Sequence, residues 1–150
     1  MIVGVPKEIK EGEFRVSLLP GGVQRLTTEG HEVRIETGAG RAAGFDDKDY
    51  VAAGAGVLSD MASVYEQAEM VLKVKEILPP EYDLLREDLI VFTYLHSAAR
   101  PEETQVLLDK KVIGIAYEDV RTDDGQFPLL VPMSEIAGEV GMMLGAVLLF

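Results

Sequence analysis

The sequence predicts an α/β fold built on a doubly wound, mainly parallel sheet flanked by helices, a Rossmann-like or flavodoxin-like arrangement. Three observations predict it. Short apolar stretches of strand character alternate along the chain with stretches of helical character, the pattern of βαβ units whose helices cover both faces of a sheet. Glycines and prolines stand at many of the junctions. Four of the strand-like stretches also lead into a polar, chemically capable residue: Arg15, Lys75, His96 and Glu118. Open parallel sheets bind ligands beyond the carboxyl ends of their strands, so these four are site candidates.

The elements follow in order. Ile2 to Val5 reads as a short buried strand, Pro6 to Arg15 as a charged loop, and Pro20 to Glu29 as a helix opened by proline and stopped by Gly30 in a left-handed cap. Glu32 to Glu36 alternates as a strand, and Gly38, Gly40 and Gly44 punctuate the loop after it. Asp46 or Asp47 can cap a helix running through Ala53, Gly56 to Leu58 is a short strand, and Ser59 or Asp60 can cap a helix through Ala68. Met70 to Lys75 reads as the next strand, and Pro79-Pro80 rules out a continuous helix directly behind it. Leu89 to Leu95 is apolar and aromatic for seven residues before His96. Pro101 to Lys111 reads as a helix with an acidic start and a basic end matched to its dipole, and Val112 to Tyr117 as a strand. Asp123-Asp124-Gly125 forms a turn, and Met133 or Ser134 opens the closing helix with Glu135 in its first turn.

Composition narrows the function classes. The 150 residues suffice for one domain with a real core. Twenty-six acidic against 14 basic residues give a net charge of -12, which repels nucleic-acid backbones and anionic membranes, and no basic patch offsets it. The chain has no cysteine, hence no disulfide or thiolate metal site, and it opens on a strand pattern instead of a signal peptide, which points to the cytoplasm. The longest apolar run, Met142 to Phe150, falls well short of the ~20 residues of a membrane helix, so no membrane span is expected. Its end, Leu148-Leu149-Phe150, lacks a cap or a basic last turn, and the natural protein is expected to continue.

Each candidate has a bland reading beside a chemical one. Lys73 and Lys75 fall on the same side of a strand by its two-residue period, so either can be a solvated strand-end lysine or a cation that binds a carboxylate or polarises a carbonyl. His96, at the mouth of the most hydrophobic strand, can exchange a proton near neutral pH or simply pack. His31 reads as structural. Arg15 lies in a loop crowded with Lys7, Glu8, Lys10, Glu11 and Glu13, yet a guanidinium there can bind a carboxylate bidentately, anchored by Phe14 and Val16. Glu118 reads as a strand-end acid or as a partner for Lys75 or Arg15. Gly38-Ala-Gly40 is not a phosphate loop, because Ala43 stands where the third glycine belongs. Two histidines and no cysteine argue against a metal site, and no nucleophile-elbow or Ser-His-Asp pattern appears.

Six segments, in order along the whole chain, then carry a resemblance: Gly4-Val-Pro-Lys-Glu-Ile-Lys-Glu-Gly-Glu-Phe-Arg15-Val16, Gly30-His-Glu-Val33, Glu36-Thr-Gly-Ala-Gly40, Leu72-Lys-Val-Lys75-Glu76, Phe92-Thr-Tyr-Leu-His96 and Pro132-Met-Ser-Glu-Ile-Ala-Gly138. Together they resemble the N-terminal part of the NAD-dependent alanine dehydrogenases, in the family shared with nicotinamide nucleotide transhydrogenases. Gly12 and Ser17 depart from the asparagine and alanine more often seen there, while Arg15 is untouched. The resemblance implies that Arg15 and Lys75 hold the carboxylate and carbonyl end of pyruvate or L-alanine. By the same resemblance His96 exchanges protons, Tyr94 and Met133 pack near the substrate, and Ser134 touches the NAD cofactor. It implies oxidative deamination of L-alanine to pyruvate and ammonium, and a homohexamer. It also implies a substrate-binding domain over residues 1–133, with residues 134–150 beginning the helix that leads to a cofactor domain outside this chain. That missing domain would carry the glycine-rich fingerprint and an aspartate partner for the histidine, so the 150 residues alone are expected to be inactive. Alternatives are the saccharopine dehydrogenase group, a transhydrogenase-type domain, disfavoured by His96, and a truncated, non-catalytic binding module.

Overall fold

A computed structural model describes residues 1–149. Among them six strands form one sheet: β1 (Ile2–Val5), β2 (Glu32–Glu36), β3 (Gly56–Leu58), β4 (Met70–Leu72), β5 (Ile90–Thr93) and β6 (Ile113–Ala116). Their order is β3-β2-β1-β4-β5-β6, and every pairing is parallel. The helices are α1 (Pro20–Thr28), α2 (Asp47–Ala52), α3 (Met61–Gln67), α4 (Pro101–Asp109) and α5 (Val131–Leu149). The chain thus adopts the predicted α/β class, and the strand order reverses between β1 and β4. A crevice opens at such a reversal because the connections leave the two strands in opposite directions.

Local chemistry explains the boundaries. Pro20 and Pro101 occupy the first turns of α1 and α4, where a missing N–H costs nothing. The Asp60 carboxylate caps α3 by accepting the Ser63 N–H at 2.8 Å, and Gly30 leaves α1 at φ 86°. Gly4 is required by proximity: a Cβ on it would come 2.6 Å from Ala68 Cβ and 2.9 Å from Val64 Cγ1, so β1 lies directly against α3.

The core divides in two. Val23 of α1 and Tyr50 of α2 pack with Val3, Val5, Val33 and Ile35, while Tyr65 of α3 and Leu107 of α4 pack with Val71, Leu89 and Val91. Side chains alternate along a strand, so Phe92 faces away from the side of Val91, and Tyr94 follows just beyond the strand end. Leu72 stands opposite Phe92 in register. These residues border a cavity of about 610 Å³.

Several boundaries differ from the sequence reading. β4 ends at Leu72, so the two-residue period no longer applies beyond it: Lys73 is 1% exposed, whereas the Lys75 side chain is 28% exposed. β5 stops at Thr93, two residues short of Leu95. Pro79–Leu84, behind the Lys75 segment, is a 3-10 helix with Pro79 and Pro80 in its first turn. No basic residue lies in the last turn of α4; Lys110 is its C-cap. Arg15 is not at a strand end but within the long loop between β1 and α1.

The closing helix opens at Val131, ahead of Met133 and Ser134, and none of its described residues is buried. With 19 residues, α5 is long and apolar enough, by length and composition alone, to cross a membrane. The helix meets this measure although no uninterrupted apolar run of the sequence does. Glu135 and Glu139 break such a run, but a helix averages its character over many turns. Phe150, the last residue of the expected apolar end, lies outside the described residues.

Candidate functional site

The site forms from the loops that leave β1, β4, β5 and β6. After β1, the chain turns back so that Glu13 and Arg15 form a closed fork. Arg15 Nε donates to Glu13 Oε1 at 2.8 Å and Arg15 Nη2 to Glu13 Oε2 at 2.6 Å, while the Arg15 backbone N–H donates to Oε1 at 2.9 Å. The Glu13 side chain is only 6% exposed, against 47% for Arg15. Hydrogen bonding from Arg15 lowers the Glu13 carboxyl to about 2, so it remains ionised at any ordinary pH. Lys75 Nζ lies 4.0 Å from Glu13 Oε2. One buried carboxylate therefore serves both candidate cations.

Lys75 is fixed from the other side by its own backbone. Glu8 Oε1 accepts the N–H of Val74 at 2.5 Å and that of Lys75 at 3.4 Å, and the Thr93 hydroxyl donates to the Lys75 carbonyl at 2.8 Å. Further along, Glu103 accepts the Ile77 N–H and Glu81 the Leu78 N–H, each at 2.8 Å. The segment has left the sheet ladder, and buried carboxylates take the place of a neighbouring strand in satisfying it. Lys73 Nζ lies 2.9 Å from Glu81 and 3.3 Å from Glu8 and offsets part of their charge, while Arg100 Nε pairs with Glu103 at 2.6 Å. Lys73 is thus the structural lysine of the pair, and Lys75 the one that reaches the site.

At the end of β5, His96 takes a left-handed conformation, φ 51° and ψ 37°. That turn is uncommon outside glycine, though histidine tolerates it better than most residues. Glu118 Oε1 accepts the His96 backbone N–H at 2.6 Å and lies 3.7 Å from the ring Nδ1. Glu118 therefore supports His96, while Glu13 takes the position beside Lys75 and Arg15 that the sequence reading gave to Glu118. Glu118 Oε2 is buried and has no hydrogen-bond partner. Tyr94 stacks near His96, with ring centroids 6.0 Å apart and planes 12° apart, and its hydroxyl donates to the Leu129 carbonyl at 2.6 Å.

Arg15, Tyr94 and Met133 all line the cavity, with Leu72, Phe92 and Tyr117 forming much of its apolar wall. Arg15 Nη1 lies 3.4 Å from Met133 Sδ, which brings the start of α5 over the cation. Lys75, His96, Glu118 and Ser134 do not line this cavity. Ser134 is exposed in the first turn of α5, beside Met133. No cluster of potential metal ligands occurs among the described residues. The loop at Gly38–Gly40 is filled from within: a Cβ on Gly40 would collide with the Tyr50 ring, so that glycine serves packing.

The sequence reading gave no site role to Glu8 or Glu13, and it weighed Lys73 beside Lys75 without foreseeing that Lys73 is buried between two carboxylates. The available signal was the mixture of charges inside apolar surroundings, since Lys73 stands between Leu72 and Val74 and must be neutralised if those neighbours are buried. The Pro6-Lys7-Glu8 and Glu13-Phe14-Arg15 stretches held the opposite charge, but nothing in their spacing said which cation each would meet.

Comparison with known proteins identifies the family. The chain is 52% identical over 146 residues to the alanine dehydrogenase of Methanococcus maripaludis, a match covering 97% of the chain and 39% of that protein. It is 53% identical over 146 residues to the alanine dehydrogenase of Bacillus subtilis, covering 97% of the chain and 38% of that protein. A solved L-alanine dehydrogenase superimposes with a TM-score of 0.91 at 51% identity, over 97% of this chain and 40% of that one. The transhydrogenase from Sinorhizobium meliloti superimposes with a TM-score of 0.74 at 27% identity, over 79% and 34%. The chain spans about two fifths of the length of the alanine dehydrogenases it matches. The sequence model described as "Alanine dehydrogenase/PNT, N-terminal domain" matches residues 4–137, and the chain belongs to that family.

Proposed function

We propose that this chain is the substrate side of an NAD-dependent L-alanine dehydrogenase, catalysing the reversible oxidative deamination of L-alanine to pyruvate and ammonium. The observation that carries the reading is the placement of Arg15 and Lys75 around one buried carboxylate, at the sheet reversal and beside a partly apolar cavity. Two cations held there suit a small carboxylate, and Leu72, Phe92 and Tyr94 suit a methyl group. In this reading Arg15 and Lys75 fix the carboxylate and carbonyl end, and Tyr94 and Met133 limit the room beyond it.

NAD, when bound, would supply a hydride acceptor for the alanine Cα–H, and water would then add to the resulting iminium carbon. His96 takes a proton from the attacking water and returns one to the departing amine, while Glu118 holds the turn at His96 by accepting its backbone N–H. Ser134, exposed at the first turn of α5 and next to Met133, fits contact with a cofactor approaching from beyond the domain. The chain offers one wall, residues 134–150 begin the helix that leads toward a cofactor domain, and the rest of the cofactor site would come from that domain. The reading further takes the protein to be a cytoplasmic homohexamer acting on small molecules, without nucleic-acid or membrane partners, in which protein covers the apolar surface of α5. His96 favours the dehydrogenase over a transhydrogenase-type domain, since the resemblance to the latter lacks a histidine at this strand end.

The test follows NADH formation from L-alanine by the full-length polypeptide that carries this chain, with Arg15→Ala compared in parallel. Turnover is expected in the parent. Loss of the charge-assisted pair should weaken pyruvate binding by about 10- to 100-fold in the variant. Absence of turnover with L-alanine contradicts the proposed activity, and unchanged pyruvate binding excludes the arginine clamp.

A further inference from the structure

We propose that Glu13 is a positioning and specificity residue: it reserves one edge of Arg15 and sets the charge of the cation pair so that the site accepts one carboxylate and disfavours two. The proposal rests on the carboxylate-binding role given above to Arg15 and Lys75. Its geometric basis is the occupancy of the guanidinium. Glu13 takes Nε and one N–H of Nη2 in a bidentate fork, with distances of 2.8 and 2.6 Å. That leaves the Nη1 side, which points toward Met133 and the cavity, as the edge an incoming carboxylate can meet. A free arginine could offer either edge, and a long side chain 47% exposed would sample many orientations; the fork selects one.

Charge follows from the same contact. Arg15 and Lys75 carry two positive charges, and Glu13, within 4.0 Å of Lys75 as well, removes one. The remainder matches a monocarboxylate such as pyruvate. A second carboxylate on the ligand would find no cation left and would face Leu72, Val74 and Phe92, where burial without a partner is unfavourable. Discrimination of this kind is achieved by withholding a partner from the wrong ligand.

The experiment replaces Glu13 by Gln and by Asp in the full-length enzyme carrying this chain, and compares pyruvate with oxaloacetate and 2-oxoglutarate in reductive amination. For Glu13→Gln the KM for pyruvate should rise about tenfold with a smaller change in kcat, the loss of one charge-assisted fork. The ratio of kcat/KM for the dicarboxylates over that for pyruvate should rise at least about fivefold, the scale of one partly screened charge. Glu13→Asp, which keeps the charge, should restore the ratio. A merely structural role would lower all substrates together and leave the ratio unchanged, and that result overturns the proposal. A second measurement stands apart from catalysis: in the full-length protein carrying this chain the Arg15 Nε–H should exchange slowly with solvent and should lose that protection in Glu13→Gln. Equal exchange in both chains also overturns it. If the parent enzyme does not turn over pyruvate, the proposed function fails, and the exchange measurement still decides whether Glu13 holds Arg15.

Discussion

Replacing Lys73 by methionine is expected to destabilise the domain by about 3–5 kcal/mol, the range for removing one member of a buried ion group. Lys73 is 1% exposed and lies between two carboxylates, Glu81 at 2.9 Å and Glu8 at 3.3 Å, whose side chains are 0% and 3% exposed. Methionine matches the lysine stem in volume, so the loss isolates the charge. The remaining hydrogen bonds do not neutralise the carboxylates: the Tyr65 hydroxyl donates to Glu81 at 2.7 Å, and the Val74 and Leu78 N–H groups reach Glu8 and Glu81. Burial, with the Glu81 charge beside it, raises the Tyr65 phenol well above its ordinary value, so it stays a donor. Urea unfolding followed by circular dichroism measures the change. A loss below about 1 kcal/mol, the value of an exposed pair, would mean that Lys73 is solvated.

Replacing His96 by asparagine is expected to reduce turnover in the full-length enzyme by about 10²- to 10⁴-fold, the usual contribution of a positioned acid–base group. Pyruvate binding should change little, because the carboxylate is held by Arg15 and Lys75. Asparagine is the informative choice, since it tolerates the left-handed conformation that His96 adopts at φ 51° and still offers its N–H to Glu118. Alanine would add turn strain to the loss of the imidazole. Steady-state kinetics with L-alanine and with pyruvate plus ammonium check the result, and normal turnover in the asparagine variant removes His96 from the chemistry.

The sheet was legible because its signal is local. Ile2–Val5, Glu32–Glu36 and Gly56–Leu58 carry their strand character in their own residues, and Pro20, Gly30 and Asp60 mark helix ends through chemistry that needs no distant partner. The Lys75 segment was misread as strand for the opposite reason. Its N–H groups are satisfied by Glu8, Glu81 and Glu103, which only the tertiary fold brings together, and its apolar residues are buried without any sheet pairing. The period argument accordingly placed Lys73 and Lys75 alike, while the structure gives them opposite environments. Glu118 was recognised as a candidate, but its partner is set by the β5–β6 register, with Thr93 opposite Ala116, which brings the following turns side by side. Tyr94, Met133 and Ser134 came from family resemblance alone, because an aromatic, a thioether and a hydroxyl carry no distinctive pattern by themselves. Glu13 was hidden in a run of charges in which any acid could pair with any base.

The central claim is that Arg15, Lys75 and His96 serve one small carboxylate ligand. It is tested most directly by titrating the 150-residue chain with pyruvate while following the side-chain nitrogen signals of its arginines, lysines and histidines by NMR. Saturable shifts are expected at Arg15, Lys75 and His96, with no shift at His31 or Lys73 and loss of the response in Arg15→Ala. No saturable shift at those three residues, or shifts that persist unchanged in Arg15→Ala, would contradict it.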